Sequence, residues 1–376
     1  MPEPRVLDTD ALIRDPQTRV VVCCGSGGVG KTTTAAALAL RAAEQHGRRT
    51  VVLTIDPAKR LAQSLGLEEL DNTPRRVEKV VDGSLDAMML DMKRTFDEVV
   101  LSHTTPEQAD EIFANPFYQA MSGTFAGTQE YMAMEKLAQL RAEDEWDLIV
   151  VDTPPSRSAL DFLDAPARLA RFLDGRMLRL LTSSSKGGHS MFSLVTSSMS
   201  FFTRAINKVI GGRMLSDIAT FAASLDSTFG GFRTRADATF RALQDPQTSF
   251  LVVAAPAPDA IREAVYFTRR LTEERMPLAG LILNRSHSVR ATGLSAQRAL
   301  GAAEGWESAG HAGSTADVLR VHARLVSQVE TELRIAARYT AACPEVPQAR
   351  VPAFAADVHD LEDLRMVAEA LVSRSS

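Results

Sequence analysis

The sequence predicts an α/β fold in which a mostly parallel, doubly wound sheet carries an inserted all-helical subdomain. Short apolar runs alternate with helical patterns along most of the chain, which is typical of parallel strands buried on both faces. A glycine-rich turn lies between the first run and an alanine-rich helix, and a long central stretch contains no convincing strand. With 376 residues, 45% of them hydrophobic, the chain can form two packed units or one enlarged domain.

Seven apolar runs are predicted to form the strands of this sheet. They lie at residues 19–24, 50–55, 85–90, 147–152, 249–255, 280–284 and 350–354. Each run is short, and a helical pattern separates most consecutive pairs. The alanine-rich helix is predicted at residues 31–45, and a long helix at residues 315–341 precedes the last strand. No internal repeat is visible, so we expect one sheet rather than two in tandem.

Two helical insertions are predicted to interrupt the sheet-forming core. The core is expected at residues 1–94, 142–170 and 246–376, and the insertions at residues 95–141 and 171–245. In the second insertion, apolar residues recur every three or four positions, which is the pattern of one helix face. Its ten Lys or Arg and five Asp or Glu give it a net charge of +5, which leaves −10 for the rest of the chain. This charge makes contact with a membrane surface one possibility, although a solvated face is more common.

Within the last part of the core, residues 291–314 are rich in Gly, Ala and Ser. Such a composition is typical of flexible linkers. We therefore predict a flexible loop there, followed by the long helix and the C-terminal helices.

Composition and charge exclude several classes of function. The net charge of −5 does not support nucleic-acid binding as the main activity. Cys23, Cys24 and Cys343 form no CxxC pair, so a disulfide framework, a structural zinc site and a redox pair are all poorly supported. The start of the chain lacks the apolar segment of a signal peptide, and the uncharged stretch at 187–203 is too polar to cross a bilayer. We expect a cytoplasmic protein.

The turn after the first strand has the sequence GSGGVGKT at residues 25–32, which matches GxxxxGK[ST]. Residues without side chains let successive backbone N–H groups converge on phosphate oxygens, and the start of the following helix adds its positive end. The motif therefore predicts a P-loop that binds ATP with Mg²⁺. The predicted nucleotide-binding residues are Gly27, Gly28, Val29, Gly30, Lys31, Thr32 and Thr33. Lys31 neutralises the β- and γ-phosphates, and the Thr32 hydroxyl is a ligand of Mg²⁺.

Two carboxylates follow strands that should end at the same edge of the sheet. Asp56 ends the second predicted strand, and Asp152 ends the fourth. Because ligands of parallel α/β sheets bind at that edge, we predict that both face the γ-phosphate. Asp152 is predicted to hold Mg²⁺ through water, and Asp56 to orient or deprotonate the attacking water. The alternative for each is a turn-forming role, because a Pro lies one or two residues further on.

Several segments resemble the ArsA family of arsenite-pump ATPases and targeting factors for tail-anchored membrane proteins. Beside the P-loop, DPAKRLAQSLG resembles the family's switch I segment, and VDTPPSRSALDFLDAP resembles its switch II segment. The resemblance extends to FAGTQEYMAMEKL, LILNRS and VPAFAADVHDLEDL. It therefore runs nearly from end to end, and the match is closest to single-module actinobacterial members.

The resemblance implies the position of an adenine pocket. It assigns Asn284 to the edge of the adenine ring, and Pro352 and Phe354 to the walls of the pocket. An Asn side chain has the donors and the acceptor to bond adenine at two atoms. From the residues alone, a strand-end turn would be an equally good explanation of Asn284.

The resemblance also implies a dimer whose nucleotide sites face one another, with helical subdomains that close on ATP binding and open after hydrolysis. The stretch at 171–243, together with 95–141, would then expose or bury a groove for an apolar helix or a membrane-transport client. The Met and Phe residues between 191 and 240 suit such a groove. They would equally well form the core of the subdomain itself.

Ser26 departs from the family pattern, in which a Lys at this place reaches across the dimer to the partner's phosphates. Ser26 cannot supply that charge. A homodimer would then hydrolyse ATP slowly, or Lys59, Arg60 or Arg157 would substitute, or the natural partner is a paralogue that retains the Lys. We favour the heterodimer with a paralogue, because the rest of the motif is intact.

The cysteines depart from the family pattern as well. Arsenite-stimulated members use several converging cysteines, whereas Cys23 and Cys24 are neighbours in a strand and should point to opposite faces. We therefore expect arsenite not to be a direct ligand.

The function predicted from these observations is an Mg²⁺-dependent ATPase that acts as a dimeric switch and couples hydrolysis to binding or transport of an apolar or membrane-associated client. One alternative is a positioning ATPase like the MinD/ParA group, which has the same P-loop. Another is a nucleotide-sensing regulator with little turnover, which the Ser at position 26 would fit.

Overall fold

The computed structural model describes residues 5–56, 60–116, 118–119, 128–154, 238, 240–311 and 313–372. The chain divides into two compact units. The first consists of Met1–Met89, Glu143–Leu160 and Leu243–Ser376, and the second of Leu90–Ala142 and Asp161–Ala242. Almost all of the predicted insertion at 171–245 lies outside the described residues.

The first unit is built on an eight-stranded sheet. Its strands are β1 Val20–Cys24, β2 Arg49–Thr54, β3 Arg75–Arg76, β4 Ser84–Met89, β5 Leu148–Asp152, β6 Thr248–Ala254, β7 Leu278–Ser286 and β8 Gln348–Pro352. The order across the sheet is β3-β4-β2-β5-β1-β6-β7-β8. All neighbouring pairs are parallel except β3 and β4, which are antiparallel. The predicted α/β class and all seven predicted strands are confirmed; β3, which has two residues, was not predicted.

The order of the strands places the end of β1 at the centre of the sheet. β1 pairs with β5 on one side and with β6 on the other. All five of its residues are buried, which agrees with the unbroken apolar run in the sequence. The turn after β1 therefore opens where the direction of strand order reverses, and this is where ligands of open α/β sheets bind.

Ten helices lie among the described residues. They are α1 Thr9–Arg14, α2 Lys31–His46, α3 Arg60–Ser64, α4 Met92–His103, α5 Pro106–Ala114, α6 Thr128–Glu143, α7 Pro258–Glu273, α8 Ala296–Ser308, α9 Ser314–Ala342 and α10 Leu361–Val372. None of them is both long enough and apolar enough to span a membrane.

Helix α2 packs against β5, β2 and α10. Its alanines are completely buried, because small side chains allow a helix to approach a sheet and another helix closely. At its far end, Glu44 accepts hydrogen bonds from Arg365 of α10, the two shortest at 2.7 and 3.0 Å. The predicted helices at 31–45 and 315–341 correspond to α2 and α9.

The prediction of a flexible loop at residues 291–314 is wrong. Most of this stretch is helix α8, which packs along α9. Ala299 and Ala303 of α8 are buried, as are Ala316 and Ala323 of α9. Ser295 caps α8 by accepting a hydrogen bond from the backbone N–H of Arg298. The small residues whose composition predicted a linker instead allow close packing between the two helices.

In the second unit, the described helices α4, α5 and almost all of α6 have a core of their own. The ring of Tyr118 is buried and lies 5.3 Å from the ring of Phe96 and 5.6 Å from that of Phe113, measured between centroids. The Tyr118 hydroxyl donates a hydrogen bond to Asp97. Helices α4 and α5 thus pack around aromatic side chains.

Candidate functional site

The P-loop at residues 25–32 is supported from behind by two neighbouring strands. Gly25, Gly28 and Gly30 have φ angles of +151°, +74° and +93°, which favour glycine. A Cβ on Gly25 would lie 2.1 Å from the carbonyl oxygen of Val253 in β6. A Cβ on Gly30 would lie 2.2 Å from Nδ2 of Asn284 in β7. Gly25 and Gly30 are therefore required both by backbone conformation and by packing, whereas Gly28 is required by backbone conformation alone.

The front of the loop presents backbone N–H groups at the start of α2. Gly27 and Gly28 are exposed, and within the described part of the chain no side chain caps the first turn of α2. The start of this 16-residue helix thus provides amide donors and a partial positive charge. This arrangement suits an anionic group of the size of a phosphate.

Lys31 is buried beside these amides, and its Nζ donates a hydrogen bond to the carbonyl oxygen of Ser26 at 2.9 Å. Burial lowers the pKa of Lys31, and the negative charge of Asp152 opposes that shift. The ammonium group therefore lies inside the loop rather than in solvent.

Asp152, the last residue of β5, is completely buried at the foot of the loop. Its Oδ2 accepts hydrogen bonds from the hydroxyls of Thr32, at 2.7 Å, and Thr54, at 2.9 Å. Its Oδ1 has no partner among the described residues. Burial raises the pKa of Asp152 to about 6, although both hydroxyls favour the charged form.

These residues fit a magnesium ion. Oxygen donors are the ligands that Mg²⁺ prefers, and it commonly binds through one or two carboxylates with water and phosphate oxygens completing its shell. The Thr32 hydroxyl and the unpartnered Oδ1 of Asp152 are such donors. No group of three or more His, Cys, Asp or Glu side chains in the described part of the chain could hold a metal ion, so the phosphates would have to supply further ligands.

Asp56 lies at the end of β2, two residues beyond Thr54, and is half-buried. Its backbone N–H donates to the hydroxyl of Thr54 at 3.2 Å, and the N–H of Ile55 donates to the carbonyl oxygen of Asp152 at 3.0 Å. The charge of Asp56 also contributes to the raised pKa of Asp152. The two carboxylates thus lie at the same edge of the sheet, and the role of Asp56 remains a prediction.

The three residues assigned to the adenine pocket lie at the ends of β7 and β8. Asn284 is buried and donates through Nδ2 to the carbonyl oxygen of Val29 at 2.8 Å. Pro352 is exposed and pairs with Ser286, while Phe354 is half-buried against the core. They are therefore close to one another along the sheet edge, and their contact with adenine remains a prediction.

The three cysteines are buried. Burial raises the pKa of Cys23, of Cys24 (to about 12) and of Cys343. The Cys24 thiol donates to the carbonyl oxygen of Leu251 at 3.6 Å. Thiols in this state are poor ligands and poor nucleophiles.

The sequence reasoning missed Thr54. Its hydroxyl bonds both Asp152 and the backbone of Asp56, and so connects β2 with β5. Thr54 stands directly opposite Asp152 in the register of these strands. The sequence alone does not give this register, because aligning TVVLTI with DLIVVD by their ends would place Ile55, and not Thr54, opposite Asp152.

Comparison with known proteins bears on the same residues. A family model described as anion-transporting ATPase, that of the ArsA ATPases, matches residues 18–289. This range includes the P-loop, Asp56, Asp152 and Asn284, and it confirms the family resemblance.

Individual relatives match over shorter lengths. A putative arsenical pump-driving ATPase of Halobacterium salinarum is 30% identical over 197 residues, which is 48% of this chain and 29% of that protein. The ATPase GET3 of Malassezia globosa is 31% identical over 154 residues, 41% of this chain and 44% of that protein. The ATPase GET3B of Arabidopsis thaliana is 24% identical over 311 residues, 76% and 68% of the two chains.

The first two alignments thus span less than half the length of those relatives. The family model, in contrast, covers well over half of this chain and includes its complete P-loop. The chain therefore belongs to the ArsA family of anion-transporting ATPases, which are P-loop ATPases.

Proposed function

We propose that this protein hydrolyses ATP to ADP and phosphate in an Mg²⁺-dependent reaction, and that the reaction drives a conformational switch. The observation that carries the proposal is the contact between Thr32 and Asp152 at the foot of the P-loop, with Oδ1 of Asp152 left without a partner among the described residues. A buried carboxylate oxygen without a partner is costly, and a hydrated cation would satisfy it.

The roles of the residues follow from their positions. The N–H groups of residues 27–33 and the Lys31 ammonium bind the β- and γ-phosphates and neutralise charge that develops during transfer. Mg²⁺, held by Thr32 and through water by Asp152, would supply further positive charge at the same oxygens. Asp56 accepts a hydrogen bond from the attacking water and so orients it toward the γ-phosphate. Asn284, Pro352 and Phe354 bind the adenine ring.

Phosphate release from ATP, with and without Mg²⁺, tests this proposal. Asp152→Asn should lower the Mg²⁺-dependent rate by about 10²-fold or more, because it removes the negative charge that holds the ion. The matched control is Asp147→Asn, since Asp147 lies just before the same strand, is partly exposed and pairs with Arg49 at 2.7 Å. A wild-type chain that releases no phosphate even in a single turnover would refute the proposed hydrolysis and favour a nucleotide-sensing role.

We further propose that the protein acts as a dimer on an apolar or membrane-associated client, with the helical unit as the moving part. Support comes from the family membership, from the separate compact unit, and from the Met- and Phe-rich sequence at 191–240. A positioning ATPase like the MinD/ParA group would instead bind lipid or DNA. Sedimentation with liposomes or DNA in ATP and in ADP distinguishes the two cases.

Ser26 leads us to propose a heterodimer with a paralogue that has Lys at this position. The side chain of Ser26 carries no charge, whereas a cation supplied across a dimer can raise phosphoryl-transfer rates by about 10³–10⁵-fold in other systems. Mixing the two chains should raise ATP hydrolysis well above the sum of the separate rates. Strictly additive rates would contradict a heterodimer.

A further inference from the structure

Asn284 contacts the P-loop itself. Its Nδ2 donates to the carbonyl oxygen of Val29 at 2.8 Å, and its Oδ1 accepts from the backbone N–H of Arg285 at 2.9 Å. The side chain is 8% exposed. Both ends of the amide are therefore engaged, and one of them is engaged by the loop that we propose binds phosphate.

The fit between Asn284 and the loop is close. A Cβ on Gly30 would lie 2.2 Å from Nδ2 and 3.5 Å from Cγ of Asn284. Any side chain at position 30 would displace the Asn284 amide. The glycine before Lys31 thus makes room for a side chain that comes from a strand two places away in the sheet.

The backbone of β7 is irregular where it directs Asn284 at the loop. Its pairing with β8 shifts register between Leu283 and Ser286, and Arg285 has a φ angle of +57°, which is uncommon for a residue other than glycine. The Oδ1 of Asn284 bonds the N–H of this same residue. The irregularity and the direction of the side chain are therefore linked.

Holding the Val29 carbonyl has a consequence for the phosphate side of the loop. The carbonyl of Val29 and the N–H of Gly30 belong to one planar trans peptide group and point in opposite directions. A donor that fixes the carbonyl behind the loop therefore fixes the Gly30 N–H toward the front. Rotation of this peptide would turn the Val29 carbonyl oxygen toward the phosphate in place of the Gly30 N–H, and an acceptor cannot bond a phosphate oxygen.

We infer that Asn284 is a positioning residue for the P-loop, which holds the Val29–Gly30 peptide in the orientation that binds phosphate. The inference rests on the proposed function and extends it, because Asn284 would then affect ligands that contain no adenine. One amide hydrogen bonds Val29, and the other is available to a base. The phosphate subsite and the base subsite share one side chain.

Binding of ATP and of inorganic tripolyphosphate, both with Mg²⁺, tests this inference. Asn284→Ala should weaken tripolyphosphate by about tenfold, the effect expected when a hydrogen bond to a buried acceptor is lost, and should weaken ATP by at least as much. Asn284→Asp keeps the size of the side chain and the oxygen near Arg285, but it places an acceptor against the Val29 carbonyl. It should weaken tripolyphosphate at least as much.

The control is Ser286→Ala. It removes a hydrogen bond within the same irregular segment, from the Ser286 hydroxyl to the carbonyl oxygen of Leu283 at 3.1 Å, and leaves the loop contact intact. Both affinities should stay unchanged. Loss of ATP affinity with tripolyphosphate affinity retained in Asn284→Ala would overturn the inference, since it would identify Asn284 as a residue for the base alone. Unchanged affinity for both ligands would overturn it as well.

Amide hydrogen exchange in the free protein gives a second measurement. Residues 25–33 should exchange faster in Asn284→Ala than in Ser286→Ala, at a temperature where both variants are folded. Equal exchange would contradict the inference. Absence of ATP binding by the unaltered chain would instead refute the proposed function, while the exchange comparison would still decide whether Asn284 holds the loop.

Discussion

At the scale of single residues, the site contains a carboxylate, that of Asp152, at a buried position where its negative charge destabilises the fold. Asp152 is completely buried, and of its two carboxylate oxygens only Oδ2 has partners among the described residues. Its burial raises the pKa to about 6 from 3.8. The folded state therefore binds this proton more tightly than the unfolded state does, and the ionised form is costly to the fold.

This leads to a prediction about stability in the absence of nucleotide. The contribution of Asp152 is most favourable below pH 4 and is lost as the pH rises through about 6. Asp152→Asn should thus stabilise the protein at pH 7 to 8 by on the order of 1–3 kcal/mol, and the gain should vanish near pH 4. Thermal unfolding at several pH values measures this.

The variant Asp147→Asn should change the stability at neutral pH in the opposite direction. Hydrogen bonds from Arg49 lower the pKa of Asp147, so its stabilising effect is present at neutral pH and is lost in acid. This variant should be less stable than wild type at pH 7. If the Asp152→Asn protein is also less stable than wild type at pH 7, burial of the ionised Asp152 carboxylate does not destabilise the fold, and the prediction is wrong.

Thr54 and Thr32 both bond Oδ2 of Asp152, which leaves Oδ1 as the oxygen without a partner among the described residues. The Thr54 hydroxyl donates to Oδ2 and accepts from the N–H of Asp56, so it connects the two carboxylate residues. Thr54→Val should lower kcat by about tenfold and raise the Mg²⁺ concentration required, with little change in ATP affinity. Thr54→Ser should restore both values, and failure of Ser to do so would count against the hydroxyl as the reason.

At the scale of elements, a buried arginine joins the N-terminal segment to the sheet. The Arg48 guanidinium donates to the carbonyl oxygens of Ile13, Asp15, Thr18 and Asp147, at 2.5 to 3.1 Å. These acceptors belong to the end of α1, the approach to β1 and the approach to β5. One side chain thus satisfies carbonyls from three places in the chain.

Removing this arginine should destabilise the fold strongly. Arg48→Ala should lower the free energy of unfolding by about 3 kcal/mol, because several carbonyls lose a charged donor. Arg49→Ala is the matched control. The Arg49 side chain is next in sequence to Arg48 but is 54% exposed, and its ion pair with Asp147 is open to solvent. Urea unfolding of both variants measures the difference, and equal losses would contradict the special role of Arg48.

Most elements could be predicted from the sequence because each carries its own signal. Each of the seven longer strands contains a short run of mostly apolar residues, and α2 follows directly from the GKT of the P-loop. β3 was missed because two residues carry no periodicity. α8 was read as a loop because alanine and glycine suit both a linker and a tight helix contact.

The site was predicted less completely. The positions of Lys31, Thr32, Asp56 and Asp152 follow from their places at strand and helix ends. The contacts of Thr54 and Asn284 do not, because they depend on strand order and on an irregular register between β7 and β8. Neither property can be read from a single strand.

At the scale of the whole molecule, the chain combines a complete P-loop motif with Ser26 at the position where the family resemblance implies a lysine that reaches across a dimer. The described residues form two compact units, one of which contains every predicted site residue. The proposals on dimerisation and client binding therefore concern what surrounds this site, and they can fail without affecting the proposal that it binds ATP.

Titration calorimetry of ATP in the presence of Mg²⁺ tests the central claim most directly. The wild-type chain should bind ATP, and Lys31→Ala should reduce the affinity by about 10²-fold or more, since the buried ammonium is paired with phosphate charge. Lys93→Ala, which changes an exposed lysine paired with Asp97 at 2.7 Å, should bind as wild type does. Wild-type protein without ATP affinity, or Lys31→Ala with unchanged affinity, would contradict the account.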